Sequence, residues 1–387
     1  MNVKAHTIRP PKRRTFIFED GGFDIQLYDK DNLYPQRMKL WAKASSMASG
    51  CVKTKAKFIR GEGFEDPGID QKIVNPQGQK FISIKRLMTT SIALNRGFCL
   101  HFNYNALFEI AGITFIPWEF ARLGPQDSNG FVSKVHIWSD WMLERVHRNQ
   151  RTRPQVVNSF NPNPEVVAEQ VAIAGGLENY LGQALFWTEE GVNVYVESSI
   201  DPVLDDVRAD AAAAAYGANS ADNNFVPSSI LGFPEQETEE AENAIRNEVS
   251  KFQGTDAANS VLLLFGVDDE TKPFFEKFDQ QNFDGRLKQT REDAKASIMQ
   301  GFNQTPALRG VLVPGKLGSG SEIETAYKLY NKQTREERAD FASVLSEIDQ
   351  YTSPAIKLSP SGNYNIIPLS FGESDIQGAE DVEAIED

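Results

Sequence analysis

Residues 301–321 read Gly-Phe-Asn-Gln-Thr-Pro-Ala-Leu-Arg-Gly-Val-Leu-Val-Pro-Gly-Lys-Leu-Gly-Ser-Gly-Ser, and they separate two long amphipathic segments. Before them, Phe283, Leu287, Ala294, Ile298 and Phe302 recur at helical spacing, which predicts a helix from Asp279 to about Phe302. After them, Ile323, Ala326, Tyr327, Tyr330, Phe341, Leu345 and Ile348 predict a helix from Ser321 to about Gln350. The glycines and prolines of Thr305 to Gly320 favour a mobile loop over either regular structure. Neither stripe has enough local structure beside it to be buried, so the pattern predicts packing against neighbouring copies of the chain.

Moving towards the N-terminus, a small α+β insertion precedes the first of these helices. Its predicted parts are a strand at Phe225–Leu231, a helix from Thr238 to Phe252, and strands at Val261–Val267 and Lys272–Phe278. Thr238 with Glu239 to Glu242 behind it gives that helix a capped, acid-rich start. Before the insertion, Asp201 is placed as an N-cap with Pro202 at the first helical position. That helix runs through the alanines 211–215 and ends near Gly217.

The first 200 residues read as one α+β domain. Residues 1–34 are irregular. A helix follows from about Pro35 to Ile59, with Met38, Trp41, Ala44, Ala48, Cys51, Val52 and Ile59 on one stripe and Gly61 and Gly63 closing it. Lys39, Lys43, Lys53, Lys55, Lys57 and Arg60 read as its solvated basic face. A helix at Ser83–Asn95 leads into strands at Phe98–Tyr104, Leu107–Pro117 and Phe131–Trp138. Pro154, Pro162 and Pro164 interrupt any long element before a short strand at Val192–Val196.

Composition narrows the function. At 387 residues with 40% hydrophobic and 24% charged content, the chain can bury a core. No apolar run approaches the roughly 20 residues that span a bilayer, and no apolar stretch follows the N-terminal Arg9, Lys12, Arg13 and Arg14 as it would in a signal peptide. Cys51 and Cys99 read as buried small hydrophobes, and a reducing compartment fits them. The net charge of −14 argues against a surface that grips nucleic acid. Half of it, seven charges, comes from Glu373, Asp375, Glu380, Asp381, Glu383, Glu386 and Asp387, which make 371–387 an acidic, disordered tail.

The sequence offers no catalytic constellation. His6, His101, His136 and His147 fall in no metal-ligand spacing, and neither cysteine has a partner histidine. Gly315-Lys316-Leu317-Gly318-Ser319-Gly320-Ser321 has the residues of a phosphate loop in the wrong order: the lysine precedes the glycines and no apolar strand feeds them. No catalytic residue, metal or cofactor is expected.

The span Asp201 to Ile348 resembles the core of tailed-bacteriophage portal proteins. The resemblance lies in the Asp-Pro-started helix, the phrase Asn224-Phe-Val-Pro-Ser-Ser-Ile-Leu231, the acid-capped helix, the strand Ser260–Gly266, the helix beginning near Asp279 and Phe283, the phrase Gly301–Leu308, and the Ser/Gly loop before Glu322–Tyr330. It implies an α+β portal fold: 1–200 the wing, 201–218 and 279–302 the stem helices, 222–278 the clip, 305–320 the tunnel loop, 321–350 the tunnel helix and wing, and 351–370 a short C-terminal region. It also implies a non-enzymatic ring, usually a dodecamer, at one capsid vertex of the virion, assembled in the host cytoplasm. The partners so implied are other copies of the chain, the terminase large subunit, a head–tail adaptor or neck protein, the major capsid protein, and double-stranded DNA passing without sequence preference. An acidic ring would let such a polyanion slide without sticking, with a few lumenal cations to guide it. Lys316 is the first candidate and Arg309 the second, with Ser319 and Ser321 beside them on the loop. A head–tail adaptor or other capsid-associated protein shares the composition but not the helix–insertion–helix–loop–helix order, and an enzyme of another class is the remaining alternative.

Overall fold

A computed structural model describes residues 24–142, 154–191, 195–223, 227–234, 243, 260–267, 274–277, 281–309 and 320–371. The chain divides into two units: Met1–Lys43, Ala48–Val203 and Met299–Asp387 form the first, and Ala44–Met47 with Leu204–Ile298 the second.

The first unit is organised on a six-stranded sheet. Its strands are β2 (Gly97–Tyr104), β3 (Ile110–Ile116), β4 (Ala121–Leu123), β5 (Lys134–Ile137), β6 (Gln155–Ser159) and β7 (Gln183–Thr188), in the order β3-β2-β7-β6-β5-β4. Only β6 and β7 pair in parallel. The helix Phe81–Asn95 packs on β2, and its Phe81, Ile84, Met88 and Ile92 are all buried at helical spacing. Each such side chain contributes about 1.5–3 kcal/mol on burial. The helix stops on Arg96, a non-glycine residue in the left-handed region (φ 57°) whose guanidinium pairs with Glu189 and Glu190 at 2.9 Å. Gly97 then lets the strand pass against Trp187 and Trp118, where a Cβ has no room.

Two helices precede β1 (Gly63–Phe64): α1 (Tyr34–Ala44) and α2 (Ser46–Arg60). The sequence reading made them one. They part at Ser45, which is buried and lies in the short run Ala44–Met47 that the chain gives to the second unit. The helices α3 (Gly68–Gln71) and α4 (Phe81–Asn95) follow, and α5 (Pro164–Ala174) sits between β6 and β7. The stretch containing β6 and α5 holds more structure than its prolines suggested. Pro164 opens α5 at its first turn, and the Asn163 side chain caps it by accepting from Glu165 N at 3.0 Å. The strand expected at 192–196 is not formed at Tyr195 and Val196, and 192–194 lie outside the described residues.

The second unit contains α6 (Leu204–Asn223), a three-stranded sheet, and α7 (Gln281–Gly301) up to Ile298. The Asp201-Pro202 start is a single 3-10 turn ahead of α6, and α6 runs past Gly217, where the sequence had it end. Strands β8 (Pro227–Pro234), β9 (Ser260–Val267) and β10 (Phe274–Lys277) fall close to the expected positions. They pair as β10-β8-β9, with β8 and β9 parallel. The helix expected at 238–252 lies outside the described residues, except for a helical Asn243. Asp210, buried at 1% exposure, accepts from Ser45 Oγ at 2.7 Å and from Arg291 Nε at 3.1 Å, which ties α6 to α7.

The last long helix of the sequence reading is also two: α8 (Gly320–Gln333) and α9 (Arg335–Asp349). Thr334 separates them. Its hydroxyl donates back to the Tyr330 carbonyl (2.9 Å) and accepts from Arg338 Nη1 (2.8 Å), a back-bond that bends helices. Asp349 then gathers the following turns, accepting from Thr352 Oγ1 (2.7 Å), Leu358 N (2.8 Å), Ser359 N (3.2 Å) and the Tyr364 hydroxyl. The chain ends its described course by pairing β11 (Ile366–Ile367) antiparallel to β1. One expectation is overturned here. Tyr330, Phe341, Leu345 and Ile348 are all buried by this chain alone, as are Ala294 and Ile298 of α7 and Phe302 just beyond it. Sister copies are not needed to cover these buried residues; among the described side chains of the two stripes, Leu287, Ile323 and Tyr327 are half-buried.

Candidate functional site

The segment flanking 310–319 is fastened at both ends to α2. On the incoming side α7 closes with Asn303 in the left-handed region (φ 53°), and the Asn303 and Gln304 amides return to Gln300 O and Met299 O at 2.9 Å. Gly301 is required by a close pass, since a Cβ there would lie 2.6 Å from Val203 Cγ1. Gln304, 5% exposed, donates from Nε2 to the Cys51 carbonyl (2.8 Å) and to the Tyr330 hydroxyl (3.0 Å). A single 3-10 turn, Ala307–Arg309, follows, its Leu308 amide reaching Thr305 Oγ1 at 3.4 Å.

Arg309 lies across α2. Its Nη1 donates to Thr54 Oγ1 at 3.0 Å, and its guanidinium fills the space above Gly50 that a Cβ would occupy. On the outgoing side α8 returns to the same helix: the Tyr330 ring meets Phe58 edge-on at 4.8 Å and Tyr327 meets it at 5.1 Å. Burial raises the Tyr330 hydroxyl's pKa and pushes the Cys51 thiol up to about 11, so both stay neutral. The described ends of this segment, Gln304–Arg309 and Tyr327–Tyr330, are thus both held on α2.

Of the four residues singled out from sequence, Arg309 is placed at the foot of this loop and engaged by Thr54, not standing free. Ser321 lies in the first turn of α8. Lys316 and Ser319 lie outside the described residues. Gln304, Thr54 and Gly50 were not anticipated; only the Gly301–Leu308 phrase marked the neighbourhood.

A polar cavity of about 270 Å³ opens beside the anchor, lined among others by Lys55, Arg96, Glu197, Asn303, Tyr330 and Glu337. Lys55 and Glu337 pair across 3.3 Å. Two cations balance two carboxylates, which suits water more than a charged ligand. His101 is held by Leu181 O at 2.6 Å, and burial lowers its pKa. Cys51 and Cys99 are buried and free. No group of three or more His, Cys, Asp or Glu among the described residues can hold a metal.

No protein-family model matches the chain, and no curated protein matches it. Solved structures do. A chain from the neck of an empty gene transfer agent particle, computed with sixfold symmetry, superposes with a TM-score of 0.50 at 13% identity over 78% of this chain and 77% of that one. This chain shares its fold with that neck chain. A chain from the native particle's neck, computed with twelvefold symmetry, gives 0.49 at 14% identity over 84% and 83%. An HK97-family phage portal protein from Corynebacterium diphtheriae gives 0.36 at 10% identity over 74% and 85%. Only the first is close enough to carry the fold. The mixed α+β class read from the sequence therefore has its structural counterpart in that neck chain.

Proposed function

We propose that the chain is the subunit of a portal-type ring at one vertex of a phage-like capsid, a structural and non-catalytic part through which duplex DNA is packaged and ejected. The observation that carries this is the fold shared with a neck chain whose particle was computed with sixfold symmetry. In this reading the first unit serves as wing, α6 and α7 as stem, and the sheet β8–β10 as the clip that meets terminase and neck proteins. Residues 305–320 serve as the tunnel loop, with α8 behind it. Capsid protein surrounds the ring, and copies of the chain, twelve in this family, close it.

The anchored loop supports the reading from within the chain. A segment that touches moving DNA needs a free middle and feet that do not shift, and the Gln304, Arg309 and Tyr330 contacts supply the feet. Lys316, with Ser319 and Ser321, is the proposed channel contact. Arg309 is assigned to the foot, its guanidinium held by Thr54. The overall negative charge keeps the duplex from adhering.

Electron micrographs and the native mass of the purified chain test the proposal. Rings with a central hole, at a whole multiple of the 43.2 kDa subunit, are expected; a monomer that turns over a substrate sinks it. Within rings, Lys316→Ala is expected to leave assembly intact and to change packaging or retention of DNA. Packaging identical to the parent removes Lys316 from the role.

A further inference from the structure

Residues 34–60 carry seven cations and no acidic residue, in a chain whose net charge is −14. The structure neutralises three of them. Arg37 pairs with Asp29 and Asp31, Lys39 with Glu119, and Lys55 with Glu337. Lys43, Lys53, Lys57 and Arg60 make no ion pair with a described residue. Lys53 and Lys57 are exposed and Arg60 is half-buried. On a helix of 3.6 residues per turn, positions 53, 57 and 60 fall on one line about 10 Å long. Arg86, exposed on α4, adds to its end: Arg60 and Arg86 repel each other, and Arg60 shares the carboxylate of Asp70 with buried Lys85. Like charges held together in this way are unfavourable until an anion meets them.

The chain supplies such an anion at the right place. Ser370 is pinned two residues beyond Arg60, its amide donating to Glu62 Oε1 at 2.7 Å. Phe371 packs on Tyr327 at 5.5 Å, and Tyr327 in turn on Phe58 of α2. From that point the sequence continues with seven carboxylates and no Lys or Arg through 372–387. Sixteen residues can reach up to about 50 Å when extended, several times the length of the cationic line. A short tether also holds its charges near their target at an effective concentration on the order of millimolar.

We propose that the acidic segment 372–387 lies back along its own α2 and covers the Lys53, Lys57, Arg60 and Arg86 face. The contact shields this basic face from other polyanions, so the acidic segment acts as a built-in competitor for phosphate. It is electrostatic and weakens with salt. It does not depend on the ring reading, and particle images taken on the same sample separate the failure of one from the failure of the other.

Zero-length carbodiimide coupling on the full chain, with a mixture of ¹⁴N- and ¹⁵N-labelled protein, tests it by mass spectrometry. Amide links from Lys53 and Lys57 to Glu373–Asp387 within single copies are expected at low salt, with their loss in about 1 M salt, where the Debye length falls to about 3 Å. A chain ended after Phe371 is expected to acetylate faster at Lys53 and Lys57 but not at Lys30, which is exposed elsewhere. Absence of these links, links only between differently labelled copies, links that persist in 1 M salt, or unchanged acetylation each overturns the proposal.

Discussion

The side-chain amide of Gln304 donates to the Tyr330 hydroxyl at 3.0 Å, joining two residues 26 positions apart across the glycine-rich loop. The same nitrogen reaches the Cys51 carbonyl at 2.8 Å. One buried amide thus closes the loop on itself and ties it to α2. Tyr330→Phe removes one neutral hydrogen bond and keeps the ring on Phe58, so a loss of about 1 kcal/mol is expected. Gln304→Ala strips partners from a buried carbonyl and a buried hydroxyl and leaves a void, so about 2–3 kcal/mol is expected. Urea midpoints measure both; equal losses would show that the amide is not the hub.

The space above Gly50 is where Arg309 rests, and this makes Gly50→Ala a test of the loop's foot. In a helix interior Gly→Ala is favourable by about 1 kcal/mol, and the clash is with the movable end of a long side chain. Stability is therefore expected to change little. Arg309, displaced, loses Thr54, and the loop is held by one foot. Trypsin is expected to cleave after Lys316 faster in Gly50→Ala, and in Arg309→Ala by a similar factor. Unchanged cleavage in both would show that Arg309 does not hold the loop.

The order of helices around the loop was legible because a buried stripe repeats every 3.6 residues whatever it packs against. The breaks at Ser45 and Thr334 were not. Each is set by side-chain hydrogen bonds to partners that periodicity does not see, Asp210 for Ser45 and Arg338 for Thr334. Pro164 was read as an interruption because proline breaks a helix interior, yet in the first turn it starts one. Arg309 was named second to Lys316 as a lumenal cation; its contacts with Thr54 and with the space above Gly50 could not be read from the sequence, because both lie about 255 positions away on α2. The apolar stripes were read as needing sister copies because the helices and turns that cover them come from far along the chain.

Asp210 is buried and satisfied by Ser45 and by Arg291, the latter 38% exposed on its side chain. Asp210→Asn keeps the shape but removes the charge that both donors favour. A loss of about 1–2 kcal/mol is expected, smaller than for a fully buried pair because water reaches Arg291. Ser45→Ala is expected to lose about 1 kcal/mol, and the double variant less than the sum, since both act through one carboxylate. Additive losses in thermal or urea unfolding would argue that the two contacts are independent.

Arg122 is fully buried with no carboxylate in contact, and burial lowers its pKa to about 10, which still leaves it charged at neutral pH. It donates to Asn32 Oδ1 and O (both 2.6 Å), Ala121 O (2.7 Å), Glu119 O (3.2 Å) and Gln36 Oε1 (3.1 Å), with Trp141 5.2 Å away. The planar fork reaches acceptors on three sides, a pattern that lysine cannot reproduce. Arg122→Lys is expected to cost about 3 kcal/mol and to free the stretch around Asn32, seen as faster amide exchange at Tyr28 and Tyr34. Exchange unchanged at those amides would mean that the aromatic stack of Tyr28, Tyr34 and Tyr195 holds the stretch alone.

Gly61 and Gly78 both take left-handed backbone angles (φ 63° and 78°), and they separate two reasons for a glycine. At Gly78 nothing lies within 4 Å of the point a Cβ would occupy, so Gly78→Ala meets only the conformational penalty, about 1 kcal/mol. At Gly61 a Cβ runs into the Ile367 carbonyl and the Ile366 side chain, and that carbonyl also accepts from Glu62 N at 2.9 Å. The backbone cannot yield there without parting β11 from β1. Gly61→Ala is therefore expected to cost about 3 kcal/mol or more and to release the C-terminal stretch, exposing Asn363–Ser370 to proteases that spare it in Gly78→Ala. If the two variants melt alike and are cut alike, the β1–β11 pairing is not what holds the chain's C-terminal strand in place.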